Sequence, residues 1–135
     1  MAEFRLEVVT PNRKVVEREV SLALLPSELG EIGILAHHAP LISSLTIGVM
    51  EFVPTHGERR RVALGDGFAE MADNTLTVLV DTAELDSEID IMRAQEAKER
   101  AEKRLRDQQE EWDFSRAQVS LHKAAARIRA AEGSE

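Results

Sequence analysis

The sequence predicts a β + α architecture, an antiparallel β-sandwich followed by an antiparallel two-helix hairpin, divided near residue 85. All four prolines and six of the seven glycines lie before that point. Over the same stretch, short runs rich in Val, Leu and Phe are separated by turn-forming residues, the pattern of a sheet built from short strands. Beyond it, apolar residues recur at spacings of three and four, the period of a helix face. The expected domains are residues 1–84 and 85–135.

Seven strands are legible in order: "FRLEVV", "KVVEREV", "SLALL", "GVMEFV", "RRRVAL", "GFAEM" and "TLTVLV". The turns "TPNR", "PSELG", "PTHGE", "GDG" and "ADN" punctuate them. Because side chains alternate across a strand, Phe4, Leu6 and Val8 share one face, as do Leu76, Val78 and Val80. These faces are expected to form the core. The first helix is expected to start with Ser87 as N-cap and with Glu88 and Asp90 in its first turn, where the helix dipole favours negative charge. Ala94, Ala97, Ala101 and Leu105 make its apolar seam, and Phe114, Ala117, Leu121, Ala124, Ile128 and Ala131 make that of the second helix. "DQQEEWD" breaks the repeat and is read as the bend, with Trp112 covering the apolar end of the hairpin. Alanine buries little area, so the hairpin is expected to be marginal and able to detach.

Composition narrows the function. No run approaches the roughly 18 to 20 apolar residues that would cross a bilayer, and no signal-peptide pattern opens the chain, so an intracellular protein without direct membrane insertion is expected. Absence of cysteine removes thiolate chemistry and Cys-based zinc sites. A net charge of −8 with one Trp and four Phe argues against nucleic acid as partner. His37 and His38 are adjacent, and adjacent strand residues point to opposite faces, so the pair is unsuited to one metal ion. No nucleophile–base order, phosphate loop or paired-carboxylate motif is present, and catalysis by this chain is not expected.

One stripe invites a specific reading. Asp90, Arg93, Ala97 and Arg100 share a helical face, and Arg116, Lys123 and Arg127 form a second stripe on the partner helix. Together they could surround a polyanion, with the carboxylate accepting from an exocyclic amine, as a nucleotide requires. The plainer alternative is a set of ordinary ion pairs on wet helices, and spacing alone favours it.

"GEIGILAHHAP" at 30–40, "GDGFAEM" at 65–71, "TVLVDTAE" at 77–84 and "IDIMRA" at 89–94 together resemble the epsilon subunit of bacterial F-type ATP synthase over essentially the whole chain. The resemblance implies a sandwich of about ten strands and a helical hairpin in a non-catalytic central-stalk subunit. Its partners would be the gamma subunit and the rotor ring of c subunits, at the cytoplasmic face of the bacterial membrane. It implies coupling of stalk to ring in a proton-translocating complex, and inhibition of ATP hydrolysis when the helices extend toward the alpha and beta subunits.

Some bacterial members bind ATP on the folded hairpin through a motif that Ile89, Asp90, Arg93 and Ala94 match. By the same resemblance Glu84 and Asp90 lie near base and ribose, while Arg93, Arg100, Lys123 and Arg127 face the phosphates of ATP, with or without Mg2+. Lys123 stands where relatives can carry arginine, so one bidentate contact becomes a point charge. Glu31 and His38 are expected to contact the rotor, and Arg116, Lys123, Arg127 and Arg129 could meet acidic catalytic-sector surfaces. The alternative function is a free-standing ATP-sensing adaptor.

Overall fold

The computed structural model of the chain describes residues 2–107 and 111–132. Nine strands come first: β1 (Phe4–Val9), β2 (Lys14–Ser27), β3 (Gly30–Leu35), β4 (Leu41–Leu45), β5 (Gly48–Pro54), β6 (Arg60–Leu64), β7 (Gly67–Ala72), β8 (Thr75–Val80) and β9 (Ala83–Leu85). A 3-10 turn (Asp86–Glu88) leads to helices α1 (Ile91–Asp107) and α2 (Glu111–Glu132).

The two expected strands "KVVEREV" and "SLALL" are one, β2. Its first half pairs with β1 and its second half with β5 and β3. The register slips between Val20 and Leu22, leaving Ser21 as an extra residue, and such a bulge bends a strand. β2 thereby passes from one layer, β4-β7-β8-β1-β2, to the other, β3-β2-β5-β6-β9. Counting β2 once in each layer gives ten strands from nine. Every pairing is antiparallel except β1 with β8, which run parallel with Leu6 opposite Leu76 and Val8 opposite Val78.

The two expected faces do make the core. Phe4, Leu6, Val8, Leu76, Val78 and Val80 are buried against Leu25, Ile34, Met50, Phe52, Val62 and Leu64 of the other layer. Each Leu or Phe buried in this way contributes about 1.5–3 kcal/mol, so this body carries most of the stability.

Two turns fix its ends. Asp73 and Asn74 both adopt positive φ, 51° and 58°, which suits the two-residue turn between β7 and β8. The Asn74 amide donates to the carbonyl of Glu3 at 2.9 Å, and its oxygen accepts from the His37 backbone at 2.7 Å, tying the β3–β4 connection to the start of β1. At the other turn, a Cβ on Gly67 would lie 2.0 Å from the Leu79 carbonyl oxygen and 2.7 Å from the Val80 Cα. Only glycine permits this approach.

The helices depart from expectation at their start. Ser87 is not the N-cap, because Asp86, Ser87 and Glu88 form the 3-10 turn, and α1 begins after Asp90. The Asp90 carboxylate accepts the Arg93 backbone N–H at 3.1 Å and its carbonyl accepts that of Ala94 at 3.0 Å, so Asp90 is the cap. α1 rests on α2, and α2 rests on β5 and β6. Ala94, Ala101, Ala117 and Ala124 are buried as the seams require, with Ala97, Leu105, Leu121, Ile128 and Ala131 half-buried. Ala126 and Ala130, outside the expected seam, meet Ala63 of β6 together with Ile47, Val49 and Ile89. Of the bend expected over "DQQEEWD", Glu111, Trp112 and Asp113 already belong to α2, while residues 108–110 and the side chains of Trp112 and Phe114 lie outside the described residues.

Where the domains meet, the Asp86 carboxylate accepts from Arg60 Nη2 at 2.8 Å and Nε at 3.0 Å, and from the backbone N–H of Ser87 at 2.8 Å and Arg61 at 3.1 Å. Burial alone would push its pKa up, but these donors outweigh burial and hold it below the ordinary carboxylate value. A carboxyl depressed in the folded state stabilises fully above its unfolded pKa, and the contribution is lost as pH falls through the folded value. Asp86→Asn is therefore expected to lower stability by about 1–3 kcal/mol at pH 7. The gap to the parent should narrow below about pH 4, read from urea unfolding across pH. Gly67→Ala is expected to cost about 1–3 kcal/mol or more through overpacking, measured as a lowered urea midpoint.

Candidate functional site

A cleft of about 540 Å³ opens between the 3-10 turn, the first half of α1 and α2. Glu84, Glu88, Asp90, Arg93, Ala94, Glu96, Ala97, Arg100 and Arg127 line it. Its volume lies within the range of small-molecule sites, about 300–1,000 Å³. Capping by Asp90 sets the phase of α1, so that Arg93, Ala97 and Arg100 follow along one face, while Ala94 is buried beneath them.

The charges in the cleft are unequally engaged. Arg127 donates through Nε to Glu84 at 2.6 Å. Glu88 accepts hydrogen bonds from Nη1 and Nη2 of Arg13, in the β1–β2 turn of the sandwich, at 3.0 and 3.1 Å. The Arg13 hydrogen bond holds the Glu88 carboxyl below the ordinary carboxylate range. In contrast, the guanidinium groups of Arg93 and Arg100 make no ion pair with any described residue. Two uncommitted guanidinium forks on one wall, with a third on the facing helix, can take an anion of several oxygens bidentately.

Of the residues named from the sequence, Glu84, Asp90, Arg93, Ala94, Arg100 and Arg127 are brought together here. Ile89 and Lys123 are not. Ile89 is half-buried against the alanine cluster of α2 and β6 and serves packing. Lys123, one helical turn before Arg127, reaches Asp81 beyond the end of β8 at 2.9 Å, outside the cleft. Sequence reasoning passed over Glu88, Glu96 and Arg13 as contributors. Glu88 and Glu96 lie one turn or so from Asp90 and Arg93 along the chain, but the partnership of Arg13 with Glu88 spans 75 residues and left no local signal.

Glu31 and His38 lie away from the cleft. Glu31 is exposed near the start of β3, beside a fully exposed Leu29. His38 is exposed in the β3–β4 connection, its Nδ1 2.7 Å from the Ala39 carbonyl oxygen. The chain has a second surface of interest on β4, β7 and β8. Phe68 stands opposite Ser44 on one side and Leu79 on the other, which makes Ile42 its diagonal neighbour. Ile42, Phe68 and Leu79 are 72%, 47% and 39% exposed, a row of large apolar side chains on an outer sheet face.

Among the described residues no group of three or more His, Asp or Glu is arranged to hold a metal, and no helix is long and apolar enough to cross a membrane. A two-layer sandwich bearing a charged helical hairpin defines a class of small two-part protein. Descriptions of the ATP synthase delta/epsilon chain match it throughout: the beta-sandwich domain at residues 3–86 and the long alpha-helix domain at residues 87–132. The chain belongs to this ATP synthase delta/epsilon family, whose epsilon chains are non-catalytic subunits of the complex.

The ATP synthase epsilon chain of Syntrophomonas wolfei is 48% identical over 134 residues, covering 98% of both chains. That of Desulfitobacterium hafniense strain Y51 is 48% identical over 128 residues, covering 95% of this chain and 96% of its own. Among solved structures, a chain of the Euglena gracilis mitochondrial ATP synthase, OSCP/F1/c-ring in rotational state 1, superposes with a TM-score of 0.82 at 21% identity. It covers 98% of this chain and 82% of that one, a likeness of fold.

If Asp90 acts as a cap, its geometry matters before its charge. Asp90→Ala is expected to destabilise α1 by about 0.5–2 kcal/mol, and Asp90→Asn to retain most of that. Amide hydrogen exchange in the first turn of α1 reads the difference.

Proposed function

We propose that the protein is a central-stalk subunit of a proton-translocating F-type ATP synthase at the cytoplasmic face of a bacterial membrane, and that its hairpin is an ATP-responsive brake on hydrolysis. The observation that carries the regulatory half is the pair of uncommitted guanidinium groups, Arg93 and Arg100, facing a nucleotide-sized cleft. In this reading both arginines and Arg127 take the phosphates of ATP, while Glu84 and Asp90 accept from ribose or adenine. Ala94 presents backbone, and Ala97 leaves room beside it.

Arg127 has to exchange Glu84 for a phosphate. That exchange frees Glu84 to accept a hydrogen bond from the ligand and keeps the count of charge-assisted bonds from falling. ATP here is a signal rather than a substrate. Bound only to the folded hairpin, it stabilises that state by about 2.7 kcal/mol at a hundredfold excess over Kd, enough to shift a marginal equilibrium. When ATP is scarce the helices extend toward the alpha and beta subunits and hinder hydrolysis.

The stalk role is supported by the exposed surfaces. The Ile42–Phe68–Leu79 row offers an apolar face for the gamma subunit, and the Leu29 tip with Glu31 and His38 offers a rim for the rotor ring.

Isothermal titration of the isolated chain with ATP, with and without Mg2+, tests the cleft. We expect one saturable site, weakened tenfold or more by Arg93→Ala and by Arg100→Ala, and weakened less by Lys123→Ala. Absence of saturable heat, or indifference to both arginines, would refute nucleotide binding and leave the stalk role standing.

A further inference from the structure

We propose that Lys123 and Asp81 form a latch that holds α2 on the sandwich while the cleft is empty. Two ion pairs run side by side from α2 to the strand ends beneath it. Arg127 meets Glu84 at 2.6 Å, and Lys123, one turn earlier, meets Asp81 at 2.9 Å. Only the first is within reach of the cleft, since both Arg127 and Glu84 line it and neither Lys123 nor Asp81 does. A ligand in the cleft would meet Arg127 and Glu84 directly, whereas the Lys123 side chain rests on Asp81 outside it.

The sandwich holds Asp81 ready for this contact. The Asp81 backbone N–H donates to the Asp66 carbonyl at 2.9 Å, and the Gly65 N–H donates to that of Thr82 at 2.8 Å, so the turns at residues 65–67 and 81–82 lock together. The Asp81 carboxylate then occupies the space of a side chain at residue 65: a Cβ on Gly65 would come within 1.9 Å of Asp81 Oδ1 and 2.6 Å of Thr82 Oγ1. Glycine at 65 is what lets the carboxylate lie there. Burial pushes the Asp81 carboxyl up, and Lys123 with nearby backbone donors brings it below its ordinary value, as a carboxylate paired in the folded state should be. On the helix side, the Lys123 side chain is only 20% exposed and lies near Ala63, Leu64 and Ala83, while the Asp81 side chain is half-exposed.

The contact that the latch protects is small. Ala126 and Ala130 of α2 meet Ala63 of β6 with Ile47 and Val49 packed beside them, so the apolar contact is small beside the sandwich core and a polar pair at its flank adds measurably to it. Lys123 is thus a positioning residue for the hairpin of the ligand-free chain.

The chain has no cysteine, which makes a single introduced thiol a clean reporter. Ala130→Cys, buried between α2 and β6, is labelled only when the hairpin lifts. In the full chain without nucleotide, Lys123→Met and Asp81→Asn are each expected to raise its labelling rate about two- to fivefold, the range for partly exposed ion pairs. Together they should raise it no further, and the exchange Asp81→Lys with Lys123→Asp should restore most of the parent rate. A thiol at Val78, in the sandwich core, should be unaffected. Unchanged labelling at residue 130, additive single effects, or equal acceleration at residue 78 would overturn the latch. Because no nucleotide is present, these outcomes do not depend on whether the cleft binds ATP.

Discussion

The hairpin of this protein meets its sandwich through a small apolar cluster centred on alanine, with Ile47 and Val49 at its edge. Ala63, Ala126 and Ala130 bring two backbones close together, but they remove little apolar surface from water compared with the Leu, Phe and Met side chains that fill the sandwich. The molecule therefore divides into a body whose stability is set by its core and an appendage whose attachment is set by a few methyl groups and polar contacts. Local unfolding free energies are lowest where buried contacts are fewest, and the hairpin is such a place. Every regulatory reading of this chain depends on that inequality.

Polar contacts around the seam differ in what can compete with them. Asp86 is held by four donors at the domain junction and anchors the chain before the helices begin. Arg13 and Glu88 tie the 3-10 turn to the sandwich by a two-point contact. These contacts precede α1, so the path into the helices is fixed even if the helices lift. Beyond Asp90, two ion pairs on α2 differ in kind: Arg127–Glu84 faces the cleft and Lys123–Asp81 does not. The contacts of Asp86 and Glu88 belong to the junction itself and do not involve the helices.

The sandwich was legible wherever alternation was clean. Phe4-Leu6-Val8 and Leu76-Val78-Val80 announced both their strands and their buried faces. β3 was hidden because Gly30 and Gly33 in "GEIGIL" read as turn residues, and β4 because Ser43 and Ser44 interrupt the apolar run of "LISSL", although its last residue, Leu45, is buried in the core. β9 is three residues long, too short to show a period. β2 looked like two strands since its alternation slips at Ser21, which is the bulge itself.

The helix start was displaced because the Asp-Ser-Glu run satisfied capping preferences and was spent on a 3-10 turn instead, leaving Asp90 to cap. The cleft was legible along α1, where spacing determines the face. Where Lys123 goes was not, because its partner is 42 residues away and only the tertiary fold brings them together.

Strand β2 belongs to both layers, and this has a mechanical consequence. Layers joined only by side-chain packing can slide or hinge over one another, but here one unbroken backbone of fourteen residues runs through the first sheet, bends at Ser21 and continues in the second. Shearing the layers apart would strain covalent bonds and break hydrogen-bonded ladders on both flanks of the strand at once. Load applied to either outer face therefore passes through the whole body with little give, so that the two layers respond as one piece.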